Sequence, residues 1–392
     1  MVRDHSGALV ASLARWCNNL DVAEESVAGA IEIALVDWRA HGIPDHPGTW
    51  LHTVARRRAL DRLRRARRYA DKLALLEATP SEPRAYDGGD DRLPLLFACC
   101  HPALGRDAQV ALTMRAVIGL TTREIARAFL SSEATIGQRI WRAKHKIVTN
   151  QIPLVVPPLE RRADRLNDVL TVLYLTYNEG HLSTVGGDAQ RRDLAEDAIW
   201  LTRVVDRSLP EQPEVIGLLA LLLLSHARQA ARFDADGELV TLADQDRTLW
   251  DARAIEEGVG LVERAASFGR AGRFQLQAAI AAVHAEAASY DQTDWPQIVV
   301  LYDMLRRHDD SPVVRLNRAV ALAHVAGPAP ALDDVDLLAP TLSEYHLFHA
   351  VRAHLLRQLD RPGEARRADE RALSLTTNIA ERSVLAARVA AM

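Results

Sequence analysis

An all-α fold is predicted by three features of the sequence. Leu, Ala and Arg dominate while aromatic residues make up only 5%, a composition that suits stacked helices better than sheets rich in β-branched and aromatic side chains. Apolar residues between Ile136 and Ile147 recur at helical spacing,. A 34-residue period of small residues runs through the C-terminal third,. Apolar residues at 48% and charged residues at 26% match an ordinary globular chain, so a sizeable buried core is expected. At roughly 100 to 200 residues per domain, 392 residues imply two to four domains.

Turn-forming stretches divide the chain at Thr79 to Asp91, at Gln151 to Pro158 and around Asp234 to Gly237,. The predicted organisation is a first module at 1–75, a linker at 76–91, a second module at 92–150, a linker at 151–159, a helical subdomain at 160–274 and a repeat region at 275–392. Charge divides along the same line. Residues 1–150 carry an excess of five positive charges and the remainder an excess of nine negative ones, which together give the net −4. The two parts are expected to have different partners.

In the first module, nine basic residues fall between Arg56 and Lys72 against two acids, Asp61 and Asp71. Arg56, Arg57, Arg62, Arg64, Arg65, Arg67 and Arg68 make this a phosphate-binding stripe, with a solvated surface helix as the plainer alternative. In the second module, Thr122 is expected to cap a short helix through Phe129, and Ser132 a second helix after a tight turn. Ile136, Ile140, Ala143 and Ile147 then share one face, while Ala134, Thr135, Gln138, Arg142 and His145 lie opposite. A helix of this design fits the DNA major groove, where Arg and Gln make paired hydrogen bonds to base edges.

Glu124-Ile125-Ala126, Ser132, Thr135-Ile136 and Arg139-Ile140 followed by Arg142-Ala143 resemble region 4 of the extracytoplasmic-function sigma factors, the module that reads the −35 promoter element. Leu20 to Glu25, together with Trp50-Leu51, Val54-Ala55, Arg58 to Asp61 and Leu63 to Arg65, is similar to their region 2. Phe97, Cys99-Cys100-His101-Pro102, Asn178-Glu179-Gly180 and Asp244-Gln245-Asp246-Arg247 with Trp250-Asp251 resemble motifs of the sigma-factor group that carries a long tetratricopeptide-like helical extension. In region 2, Ala28 and Gly29 stand where that family usually carries a Gln and an acidic residue.

The resemblance implies two DNA readers and one polymerase contact. Region 2 would bind the clamp helices of the RNA polymerase largest subunit through Leu20, Asp21, Ala23, Glu24 and Glu25. The loop Gly42 to Thr49 and the helix it opens, with Trp50, His52, Thr53, Arg56 and Arg57, would read the −10 element, although Trp50 also suits a core anchor. Arg62, Arg64, Arg65, Arg67 and Arg68 would hold backbone phosphates. Ser132, Glu133, Ala134, Thr135, Gln138, Arg139 and Arg142 would face the −35 element, with Gln138 and Arg142 the specificity candidates.

In the repeat region, Ala285, Ala319 and Ala353 lie 34 residues apart, as do Ala282, Leu316 and Ala350. Three degenerate tetratricopeptide-like copies near 275–308, 309–342 and 343–376 are expected, with an alanine-rich bundle as the alternative. Gly327-Pro328 and Arg361-Pro362-Gly363 supply the turns. The acidic extension is expected either to dock on the DNA-reading modules or to bind a regulatory protein.

Cys17, Cys99 and Cys100 are too few for a disulfide framework, which points to a reducing compartment. Cys99-Cys100-His101 reads as helix packing rather than a zinc site, and Asp234 to Gly237 as a turn. Tyr177 to Gly180 and Asp244 to Asp251 read as caps and buried polar networks ahead of a ligand pocket. The apolar run Val215 to Leu224 is about half the length of a roughly 20-residue membrane span, and no signal peptide is evident, so a cytoplasmic protein is expected. No cofactor, metal, membrane contact or catalytic constellation is predicted. The leading expectation is a promoter-specificity factor for RNA polymerase, the alternative a helix-turn-helix regulator with a repeat-based sensor.

Overall fold

In a computed structural model of the chain, we describe residues 2–73, 90–129, 131–181 and 189–390; side chains are described for these except at 2–5, 66–73, 181 and 189–193. Among the described residues there are nineteen α-helices and no strand, only an isolated bridge between Phe233 and Leu239. The chain divides into two compact units, one of residues 1–180 with 193–208 and one of residues 181–192 with 209–392.

The first unit opens with α1 (Val2–Cys17), α2 (Leu20–His41) and α3 (Pro47–Leu73). Asn18, in the left-handed region at φ 49°, ends α1, and the Asn19 side chain accepts from the Val22 N–H at 3.0 Å to start α2,. Helices α2 and α3 pack along a seam, and both bury small residues: Ala23, Ala30 and Ala34 on one helix, Ala55 and Ala59 on the other. Gly29 extends that seam, since a Cβ there would sit about 2.5 Å from the Arg58 guanidinium. The intrinsic helix cost of this glycine, about 1 kcal/mol against Ala, is thus exchanged for room in which Arg58 crosses α2.

Next come α4 (Arg92–Cys99), α5 (Arg106–Thr113), a π-helical turn at Met114–Ile118, α6 (Thr122–Ala128) and α7 (Glu133–Thr149). Nearly all of α4 is buried, from Leu93 to Cys99. Burial pushes the Cys99 and Cys100 thiols up, Cys100 to about 12, and Cys100 Sγ lies 3.7 Å from Thr113 Oγ1. Both are packing residues. The residue that caps α6 is Thr121 rather than Thr122: its hydroxyl accepts from the Glu124 N–H at 3.2 Å, and the Glu124 carboxylate accepts from the Thr121 N–H at 2.7 Å. This reciprocal capping box moves the start by one residue.

Helix α1 also packs on α4 and on the π-helical turn. There Gly7 lets two backbones meet, because a Cβ on it would lie 2.3 Å from the Val117 carbonyl oxygen.

Two longer helices complete the first unit, α8 (Leu159–His181) and most of α9 (Ala189–Ser208). Sequence patterning starts a separate subdomain at 160. The structure instead ties α8 to the preceding helices, with Arg165 donating to the Phe97 carbonyl and Arg106 Nη2 3.4 Å from Asp168 Oδ1.

The second unit is built on α10 (Pro213–His226), which is buried nearly all round and packs on α11 (Ala252–Ala266) and α12 (Arg273–Glu286). Pro213–Ala231 is long and apolar enough by composition to cross a bilayer, and 67% of its apolar window is buried inside the unit, as in a core helix. Between α10 and α11, Asp234 Oδ1 accepts from the Asp236 and Glu238 N–H groups and makes the expected turn,.

The chain continues through α13 (Trp295–Leu305), α14 (Pro312–Ala326), α15 (Pro328–Asp336), α16 (Ala339–Leu342), α17 (His346–Gln358), α18 (Pro362–Leu375) and α19 (Ile379–Ala390). Helix pairs begin at Arg273, Pro312 and His346. Ala319, Ala331, Ala353 and Ala365 are completely buried where these helices meet. Ala285, the first member of the 34-residue series, is only half-buried, so the first pair departs from the pattern of the other two.

Gly7→Val should lower the stability of the first unit by about 1–3 kcal/mol, the usual range for overpacking, because the Val117 carbonyl cannot yield without moving the π-helical turn. Urea unfolding followed by circular dichroism measures this; an unchanged midpoint would exclude the close approach.

Candidate nucleic-acid interface

Two exposed cationic surfaces lie in the first unit. On α3, Leu51, Ala55 and Ala59 turn inward, which leaves Thr53, Arg56, Arg57, Arg64 and Arg65 on the exposed face,. The Arg56 guanidinium covers the Trp16 ring at 5.3 Å. Arg62 is half-buried and paired with Glu25, so it is less available to a phosphate than its neighbours. The Arg67 and Arg68 side chains lie outside the described residues. Trp50 is half-buried, 5.6 Å from Trp38 in a tilted ring pair, and His52 is also half-buried. The Trp50 ring is therefore engaged in packing and only partly accessible,.

The second surface is α7. Ser132 Oγ accepts from the Thr135 N–H at 3.1 Å, which caps the helix. Ile136, Ile140, Ala143 and Ile147 are its buried residues. Ser132, Glu133, Ala134, Thr135, Gln138, Arg142 and His145 are exposed. Arg139 is more constrained, with its guanidinium 6.0 Å from the Phe129 ring and 3.6 Å from Asp107. Glu133 pairs with Arg123 at 3.7 Å. Trp141, absent from the sequence-based candidates, is 63% exposed and stacks on His145 at 5.3 Å. Its place next to Arg142 on a helix with a defined apolar face was the available signal.

The candidates at the start of α2 are disposed differently from the sequence expectation. Leu20 and Ala23 are buried, 6% and 0% exposed, and pack inside the unit, so neither offers a surface to a partner protein. Asp21 and Glu24 hold Lys144 of α7 instead, at 3.0 and 2.7 Å, and Glu25 pairs with Arg62. The exposed apolar residues of α2 lie further on: Ile33, Leu35 and Val36, the last 73% exposed.

Lys144 and Glu24 are largely covered, at 14% and 13% side-chain exposure. Burial alone would lower the Lys144 pKa, but the charge and hydrogen bond of Glu24, with Asp21, outweigh it and raise it,. A raised lysine pKa means the tether stabilises the fold throughout neutral pH and is lost as the pH climbs through the folded-state value, above 10.5,. Lys144→Ala should cost about 1–3 kcal/mol by leaving the Glu24 carboxylate short of a partner. Adding Glu24→Gln should recover part of that loss, and a double-mutant cycle in urea with zero coupling would rule the tether out.

Residues 1–69 match the family model described as Sigma-70 region 2. Residues 165–266 match a family of unknown function, DUF6596. The chain is 45% identical over 379 residues to the uncharacterized protein R00370 of Rhizobium meliloti (strain 1021), an alignment that covers 94% of this chain and 90% of that one. No solved structure matches. The chain therefore belongs to one family with the Rhizobium protein, and its first 69 residues are similar to sigma-70 region 2.

Proposed function

We propose that the chain is an extracytoplasmic-function sigma factor that directs RNA polymerase to promoters through two helices, α3 at the −10 element and α7 at the −35 element. The observation that carries this is the pairing of a sigma-70 region 2, whose α3 exposes Arg56, Arg57, Arg64 and Arg65, with a capped second helix that exposes Gln138 and Arg142. Arginines on an exposed helix face hold phosphates, and a Gln and an Arg near the start of a groove-entering helix read base edges. The factor itself catalyses no reaction, acts in the cytoplasm, and lends specificity to core polymerase.

The same proposal assigns the polymerase contact to the middle of α2. Ile33, Leu35 and Val36 form an exposed apolar stretch of the kind that a partner protein covers,. Leu20 and Ala23 have no such role because they are already buried. The extension beyond the first unit, which lies in the strongly acidic part of the chain, is a poor ligand for DNA and sets the factor's activity by docking on the modules or by receiving a regulatory signal. Its paired helices resemble tetratricopeptide repeats in their buried alanines at 34-residue spacing,.

Run-off transcription with core polymerase on a cognate promoter should require this chain, and Arg142→Ala should reduce the output while leaving non-specific transcription unchanged. A chain that binds duplex DNA by itself and adds nothing to core polymerase would overturn the proposal in favour of a conventional regulator. Arg64→Ala with Arg65→Ala should flatten the salt dependence of holoenzyme binding to DNA by about 1–2 in the log–log slope, since two phosphate contacts are lost. A wild-type slope would remove both residues from the phosphate path.

A further inference from the structure

The second unit gathers cationic and aromatic side chains that promoter reading leaves unused. Arg247 is their anchor. It begins a short 3₁₀ turn, Arg247–Leu249, whose preceding residue Asp246 accepts from the Thr248 N–H at 2.9 Å. Arg247 Nη1 donates to the carbonyl oxygens of His284 and Ala287, at 2.6 and 2.7 Å, at the C-terminal end of α12. Its guanidinium lies 4.4 Å from the Trp250 ring centroid, and that of Arg228 approaches the same ring at 5.9 Å.

These contacts fix one arm of the fork. The other, Nη2, is buried without a hydrogen-bond partner, and so are Trp250 Nε1 and His284 Nδ1. Trp250 is only 7% exposed. Buried polar atoms in native proteins are nearly always paired, and here three such atoms belong to Arg247 and to two residues it contacts, one through its ring and one through its backbone carbonyl.

A wall of rings adjoins them. His284 meets Trp295 edge-on at 5.2 Å, Trp295 stacks face to face with His324 at 3.8 Å, and the Tyr290 hydroxyl is 3.2 Å from His324 Nε2. Cations surround His284. Burial first, then Arg228, Arg247 and His324, pull the His284 imidazole down to about 4. Asp291 is the acid that acts on His324. A positive, donor-rich cluster stands out in the half of the chain that carries the acidic excess.

We propose that Arg247, Trp250 and His284 bind an oxyanion, a carboxylate or phosphate group of an effector, beside the ring wall of Tyr290, Trp295 and His324. A guanidinium with one arm anchored on a helix end and the other free presents fixed geometry to a planar or tetrahedral oxyanion. The site joins two parts of the chain: Arg247 and Trp250 lie within the segment matched by the family of unknown function, and the other four residues lie beyond it. Ligand bound there would cross-link the turn before α11 to the first helix pair.

Isothermal titration of the full-length chain with inorganic phosphate, with glutarate and with a hexaglutamate peptide tests this. Saturable binding of one or more is expected; tighter binding of phosphate or glutarate identifies a free small anion, and tighter binding of the peptide identifies carboxylates presented by a polypeptide. Trp250→Phe, which keeps a ring but removes the N–H, and His284→Gln should each weaken binding roughly tenfold, as expected for loss of a hydrogen bond to a charged group, with the melting temperature of the free protein little changed. Arg247→Lys should abolish binding, and because it also disturbs the end of α12, the first two variants decide if it fails to fold. No saturable binding of any probe at millimolar concentration, or affinities that both variants leave unchanged, would overturn the proposal.

Discussion

Close approach of helices at small side chains is the constraint on which both units depend. A chain with 5% aromatic residues cannot fill wide spaces between helices with large rings, so it brings the helices together. Alanine does this at the α2–α3 seam and again where α14, α15, α17 and α18 meet. Glycine does it where the approach must be closer still, at Gly7 against the Val117 carbonyl and at Gly29 beneath Arg58. Such seams gain from many short dispersion contacts rather than from a few large buried groups, and they tolerate added volume poorly.

This packing decides which charged groups remain free. Once α2 and α3 close on each other, Arg58 and Arg62 are engaged with α2, and Arg56, Arg57, Arg64 and Arg65 are left on the outside. The same logic orders α7, whose four buried residues fix which side carries Gln138 and Arg142. Lys144 is the exception: it lies between the two faces and reaches across to Asp21 and Glu24 of α2. One basic residue of α7 thus serves the cohesion of the unit.

Local pattern in the sequence revealed the helices and their faces well. Ser132 and the Ile136, Ile140, Ala143 and Ile147 stripe are readable because capping and periodicity act over three to eleven residues,. Pairings between distant residues are not local, and there the sequence was silent. Nothing near Glu24 indicates a partner 120 residues away, so Leu20 to Glu25 looked like a free surface when much of it is internal. Nor does the Pro-rich stretch before α8 reveal that Arg165 and Asp168 return to the helices preceding it. Thr121 and Thr122 are equivalent caps by composition, and only the reciprocal bond with Glu124 separates them. In the second unit, the alanine period located the later helix pairs, whereas the Arg247 cluster is assembled from segments 228–250 and 284–324 and has no signature within either.

The π-helical turn at Met114–Ile118 has a consequence for how the chain can change length. It sits between α5 and the Thr121 cap, and its backbone is pressed against Gly7 of α1. Adding or removing one residue in a helix rotates everything that follows by about 100°. Here such a change would shift Gly119 and the Thr121 cap relative to Gly7, and with them the helices that hold Lys144 against Glu24. The number of residues between α1 and α7 is therefore constrained by packing at both ends, at Gly7 against Val117 and at Glu24 against Lys144.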